Sequence, residues 1–139
     1  KTMSPCFIMA AFDIIVEVLK ASGKYSEQDI KIVRGIAVDT AYPIVDYNGD
    51  LVQFYGSNPS GHPLTVIING LVNSLYMRYA YTVLNEYGHC NDFKSNVNLM
   101  TYGDDNILNV NKDISWFNHT SISQALAEFG LDYTMPEKE

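Results

Sequence analysis

Tyr102-Gly103-Asp104-Asp105 closes an apolar run, Val97-Asn98-Leu99-Met100-Thr101-Tyr102, and a second short run, Ile107-Leu108-Asn109-Val110, follows at once. Strand, tight turn, strand is the reading this order imposes, with two acids at the tip of an antiparallel hairpin. Paired carboxylates on rigid strands suit hard divalent cations such as Mg2+ (Mn2+ is the alternative), which prefer oxygen ligands. Two such ions can hold the attacking and leaving oxygens of a phosphoryl transfer. An acidic surface turn is the plain alternative. Average residue usage produces this tetrapeptide by chance in roughly one chain in a thousand of this length.

The remaining elements fix the fold class. Ser4-Pro5 ahead of Phe7, Ile8, Ala11, Ile14, Ile15 and Val18 predicts a helix with Pro in its first turn, ending near Ser22-Gly23. Ser26-Glu27-Gln28-Asp29 caps a second helix reaching about Ala37. A hairpin is predicted where Ala41-Tyr42-Pro43-Ile44-Val45 and Leu51-Val52-Gln53-Phe54-Tyr55 flank a turn containing Asn48-Gly49. Gly56 to Gly61 reads as loop, and helical spacing runs from about Pro63 to Asn85. A last helix covers Ser121 to Phe129, ended by Gly130, and Leu131 to Met135 reads as a short strand. Helices mixed with hairpins, without strict βαβ alternation, predict an α+β fold with an antiparallel sheet.

A length of 139 residues and 47% apolar content suit one domain with a real core. The chain opens at Lys1 and stops at Glu139 inside a turn-rich phrase, so it is expected to be a piece of something longer. Cys6 and Cys90 suggest no disulfide framework, which favours a reducing, cytoplasmic compartment. His89-Cys90 has no second ligand pair at zinc spacing, so a core or loop role is expected. The net charge of −7 counts against a free-standing nucleic-acid binder, so a basic channel would have to come from flanking sequence.

Ser60-Gly61-His62-Pro63-Leu64-Thr65-Val66-Ile67-Ile68-Asn69 leads from a Gly-containing loop into the longest helix. Such a loop can present backbone N–H groups to a phosphate or sugar. Thr65 and Asn69 are i and i+4, on one helix face, where a hydroxyl and a carboxamide could read a sugar hydroxyl. Asn73 is expected instead to satisfy buried backbone groups.

Ser60-Gly-x-x-x-Thr65-x-x-x-Asn69, followed some thirty-five residues on by Tyr102-Gly-Asp-Asp105, resembles motifs B and C of the viral RNA-dependent RNA polymerase palm. Order, spacing and the intervening long helix all match. Pro59-Ser60-Gly61-His62-Pro63-Leu64-Thr65, Asn73-Ser74-Leu75 and the Asn106 that follows the acids are most similar to picorna-like viruses of the order Picornavirales, marine or insect members especially. Lys1-Thr2-Met3-Ser4-Pro5 resembles the tail of motif A, whose Asp-x-x-x-x-Asp core is expected to end immediately before Lys1. Tyr133-Thr134-Met135-Pro136-Glu137-Lys138 resembles the end of motif D.

The resemblance implies a partial palm with an RRM-like core over residues 1–139, including a fingers-proximal segment at about 23–60. It implies template-directed RNA synthesis by two-metal nucleotidyl transfer. Asp104 would ligate metal, and Asp105 would support metal geometry or the primer end. Gly103 would allow close approach of the primer, and Asn69 with Thr65 would sense the 2′-hydroxyl of the incoming nucleotide. Ser60 and Gly61 would contact template and nucleotide, and Lys138 would protonate pyrophosphate. Tyr76, Met77, Tyr79 and Tyr81 are expected to pack, and His62 to have no catalytic role. Implied partners are RNA template and primer, nucleoside triphosphates and the remaining fingers and thumb, in the host cytoplasm at membrane-associated replication complexes. Without motif A and basic flanks, the fragment alone is expected to be inactive. Two rivals remain at this stage: a reverse transcriptase, which also carries Tyr-x-Asp-Asp, and a non-enzymatic α+β interaction module.

Overall fold

The computed structural model describes residues 3–57 and 61–134. It divides into two compact units, Lys1–Val72 and Asn73–Glu139, whose boundary falls inside the longest helix.

In the first unit, α1 (Pro5–Ser22) packs on α2 (Glu27–Ala41). Pro occupies the first turn of α1, where its missing N–H costs nothing, and Gly23 closes the helix with its N–H on the Lys20 carbonyl at 3.1 Å. Ile8, Ala11, Phe12 and Val16 are its buried residues, an i, i+3, i+4, i+8 stripe. Helix α2 starts on a capping box: the Ser26 hydroxyl accepts from the Asp29 N–H, and the Asp29 carboxylate accepts from the Ser26 N–H. It runs four residues past the Ala37 expected from sequence, and no Gly or Pro stands between Ala37 and Pro43 to end it sooner. Strands β1 (Ile44–Tyr47) and β2 (Asp50–Gln53) form the Asn48-Gly49 hairpin, with Tyr47 opposite Asp50 and Ile44 opposite Gln53. Both strands sit nearer the turn than the apolar runs indicated. The flanking backbone still pairs, Phe54 N to Pro43 O at 2.9 Å and Gly56 N to Ala41 O at 2.8 Å.

Helix α3 (Thr65–Leu84) carries the chain into the second unit, where α4 (Phe93–Asn96), β3 (Val97–Tyr102), β4 (Asp105–Val110), a 3₁₀ turn at Lys112–Ile114 and α5 (His119–Ala127) follow. β3 and β4 pair antiparallel, Val97 opposite Val110 and Tyr102 opposite Asp105. Alternation is regular: Val97, Leu99 and Thr101 face inward with Asn106, Leu108 and Val110, while Met100, Tyr102 and Ile107 are exposed. Val97, Leu99, Leu108 and Val110 join a core built from Met77, Ala80, Tyr81, Phe93, Phe117, Ile122, Ala125 and Leu126. Tyr81 is its centre, with ring centroids 5.2 Å from Phe93, 5.0 Å from Trp116 and 5.2 Å from Phe117. Tyr76 and Tyr79 pack against this core, as their helical spacing indicated.

The architecture is α+β with antiparallel hairpins, as expected, and the acidic hairpin lies on helices. Two local expectations need correction. Helix α5 starts two residues before Ser121, because Asn118 and Ser121 form a reciprocal cap. Over residues 131–134 the predicted strand does not form. Those backbone groups are engaged elsewhere, Leu131 N on Leu126 O at 3.0 Å and Tyr133 O on the Ser123 hydroxyl at 3.2 Å, so no ladder partner is taken. Met135 lies outside the described residues.

Candidate active site

The tip of the β3–β4 hairpin is a two-residue turn, Gly103-Asp104, since Tyr102 pairs with Asp105. Gly103 stands at φ 59 while Asp104 does not take a positive φ, the arrangement of a Gly-first hairpin turn. Gly103 is buried and both acids beside it are exposed. Among the described residues, no cation pairs with either carboxylate and no donor hydrogen-bonds to one. Ion pairs there join Lys20 to Glu17 and Arg34 to Asp13, and the His89 ring lies 3.7 Å from an Asp92 oxygen.

The backbone around the acids, by contrast, is held from below. The Asn73 amide on α3 donates to the Asp105 carbonyl at 3.1 Å and to the Gly103 carbonyl at 3.5 Å. Asn106 donates to the Asn73 side-chain carbonyl at 2.8 Å, and the Tyr133 hydroxyl donates to the Asn106 Oδ1 at 2.9 Å. Tyr133 is itself anchored by a stacked His119 ring, 5.1 Å between centroids. Burial pushes the Tyr133 hydroxyl above the ordinary tyrosine value. Asn73 thus satisfies buried backbone groups, as expected. Asn106 and Tyr133 carried no assigned role. The available signal was strand parity, which places Asn106 on the inward face beside Leu108 and Val110 and so obliges it to find partners.

The other expected site residues except Lys138 lie ahead of the unit boundary in the chain. Gly61 is exposed before α3. His62 has a local role that needs no catalysis: its Nδ1 accepts from Leu64 N at 3.1 Å and its carbonyl accepts from the Thr65 hydroxyl at 2.7 Å. Thr65 is therefore the first residue of α3 with its hydroxyl turned to the preceding backbone, and Asn69 follows one turn later, half-buried. Ser60 and Lys138 lie outside the described residues.

Asp104 and Asp105 supply hard oxygen donors, the right chemistry for a divalent cation. Among the described residues, no group of three or more His, Cys, Asp or Glu is placed to hold a metal ion. A family model of viral RNA-dependent RNA polymerases matches residues 1–139. The chain belongs to this polymerase family. The replicase polyprotein of Cricket paralysis virus is 33% identical over 114 residues, covering 78% of this chain and 6% of that polyprotein. That of Drosophila C virus is 39% identical over 109 residues, covering 74% and 6%. The RNA1 polyprotein of Tomato ringspot virus is 32% identical over 125 residues, covering 88% and 6%. These are picorna-like viruses of insects and plants, in line with the resemblance carried by the motifs. The chain spans 6% of the length of these curated relatives. Polymerases of this family generally use divalent metal ions and act on RNA and nucleotides. Among the described residues, no helix is long and apolar enough to cross a membrane.

Proposed function

We propose that this chain is the palm portion, with a fingers-proximal segment at about 23–60, of a picorna-like viral polymerase that copies RNA from an RNA template. The observation that carries the reading is the β3–β4 tip: two exposed carboxylates free of cationic partners among the described residues, on a turn fixed by partly buried hydrogen bonds. Charges left uncompensated on an otherwise satisfied turn fit a site that takes its counter-charge from bound cations.

In this reading Asp104 ligates the metal together with an upstream acid, and Asp105 supports that geometry or the primer end. Bound Mg2+, the cation we favour over Mn2+, supplies charge neutralisation at the transferring phosphate. Gly103 leaves the turn without a side chain where the primer terminus approaches. Asn69 and Thr65 face the incoming ribose, Ser60 and Gly61 contact template and nucleotide, and Lys138 donates a proton to the departing pyrophosphate. The remaining fingers and thumb supply the basic channel that a chain of charge −7 lacks. Host cytoplasm, at membrane-associated replication complexes, is the proposed place of action. A family match over the whole chain favours this reading over both a reverse transcriptase and a non-enzymatic module.

Primer extension with the complete polymerase tests it. Asp104→Ala removes a contact worth several kcal/mol to the transition state, so incorporation should fall at least about a hundredfold. Undiminished incorporation would sink the assignment. Sequencing upstream gives an independent check: the residue directly before Lys1 should be an Asp that ends an Asp-x-x-x-x-Asp phrase.

A further inference from the structure

The hydrogen bonds below the hairpin tip all point one way. The carbonyls of Gly103 and Asp105 can only accept, so Asn73 must present its amide nitrogen to them. Its Oδ1 then faces Asn106, which must present Nδ2, leaving the Asn106 Oδ1 for Tyr133. Tyr133 closes the series as donor. Reversing either amide would set oxygen against oxygen, so the acceptor-only turn fixes both orientations. The two pinned carbonyls also bracket Asp104 along the chain. At the far end, Tyr133 is tied to α5 through His119 and the Ser123 hydroxyl.

We propose that Tyr133, Asn106 and Asn73 form a positioning relay that sets the shape of the Gly103-Asp104 turn, aims its two carboxylates, and couples them to the segment following α5. These are positioning residues: none touches substrate, and each acts through the next. The inference rests on the polymerase reading above. A relay of directed donors behaves differently from inert packing. Replacing Asn73 by Asp keeps the volume yet turns a carboxylate toward two carbonyl oxygens, whereas Asn73→Ala merely removes a donor. The relay therefore makes Asn73→Asp the more damaging change, and packing alone predicts the reverse order.

The test uses the complete polymerase carrying this segment, with Tyr133→Phe as the chief variant because it keeps the ring and its stack on His119. Mg2+ titrations of primer extension should show a half-saturating concentration raised about three- to tenfold, the scale of one lost neutral hydrogen bond, with KM for nucleotide little changed. In the metal-free protein, amide exchange of residues 103–106 should accelerate while that of α3 does not. The Tyr133→Phe effect should vanish in an Asn106→Ala background. An unchanged Mg2+ requirement and unchanged exchange in Tyr133→Phe, alongside an inactive Asp104→Ala, overturn the relay and leave the polymerase reading standing. Equal Tyr133→Phe effects with and without Asn106, or Asn73→Asp milder than Asn73→Ala, overturn it as well. Full activity of Asp104→Ala removes both.

Discussion

Three glycines separate the causes of a Gly→Ala effect within one chain. Gly35 lies in α2, exposed, with nothing within 4 Å of a Cβ placed there. Alanine loses less backbone entropy on folding than glycine, so Gly35→Ala should stabilise by about 0.5–1 kcal/mol. Gly103 also has open space around it, but its φ of 59 is left-handed, so Gly103→Ala should cost about 1–2 kcal/mol from strain alone. Gly56 combines φ 78 with a collision: its Cβ would meet the Met3 carbonyl oxygen at 1.8 Å, the Met3 carbonyl carbon at 3.0 Å and Pro5 Cδ at 3.2 Å. A backbone carbonyl cannot rotate aside as a side chain can, and Ser57 N also binds that same oxygen at 3.2 Å. Moving it disrupts the start of α1, and overpacking of this kind adds about 1–3 kcal/mol to the strain. Gly56→Ala should therefore cost about 2–5 kcal/mol. Native-state amide exchange reads each site as a local opening free energy: α2 for Gly35, the β3–β4 hairpin for Gly103, and the first turns of α1 for Gly56. Equal costs at Gly56 and Gly103 would refute the close-contact argument, and a destabilising Gly35→Ala would refute the entropy argument.

Two further perturbations probe the frame around the site. Tyr81→Phe keeps the aromatic cluster and deletes only the hydroxyl that accepts from Asn96 at 3.2 Å, a loss of about 0.5–1.5 kcal/mol, whereas Tyr81→Ala empties the centre of the core at about 3–5 kcal/mol. Denaturant midpoints should separate the two clearly, and similar midpoints would show that the ring is not central. At the N-terminus of α2, hydrogen bonds from the Ser26 hydroxyl and N–H hold the Asp29 carboxyl below its ordinary value of 3.8. A depressed folded-state value means that the contribution is present above pH 3.8 and is lost as pH falls through the lower folded value. Ser26→Ala should weaken α2 at neutral pH and flatten the acid dependence of its amide exchange; an unaltered acid profile would contradict the capping box.

Local chemistry made most elements legible. Pro5, the Ser26–Asp29 box, Asn48-Gly49 and Gly103 each act within a few residues, and each element forms where those residues place it. Boundaries moved where the sequence carries no stop signal or where a group outside the segment takes its backbone. Helix α2 continues to Ala41, and the apolar run from Leu131 forms no ladder, because Leu126 and Ser123 take its backbone groups. A run of apolar residues reports burial; only a free edge makes it a strand. The site shows the same limit. The acids were legible as a pair, but that their turn is braced by a residue some thirty positions earlier and another nearly thirty later depends on tertiary contacts that leave no spacing rule.

That division between side chain and backbone is itself informative about the acids. An acidic turn serving only as solvated surface needs no buried support, since water satisfies its carbonyls at little cost. Here two carboxamides and a phenol are committed below the tip, and Asn73 is buried to do it. Burying them is favourable only because every polar group finds its partner, and a single misdirected donor would reverse the balance. On the proposed reading, so much fixed hydrogen bonding behind two carboxylates with no cationic partner among the described residues fits a positional demand: acids held still for something that arrives from solution. A bare Gly-Asp-Asp cannot state that demand. Asn73, Asn106 and Tyr133 do, and a complete polymerase with the relay broken but Asp104 intact is where the demand becomes measurable.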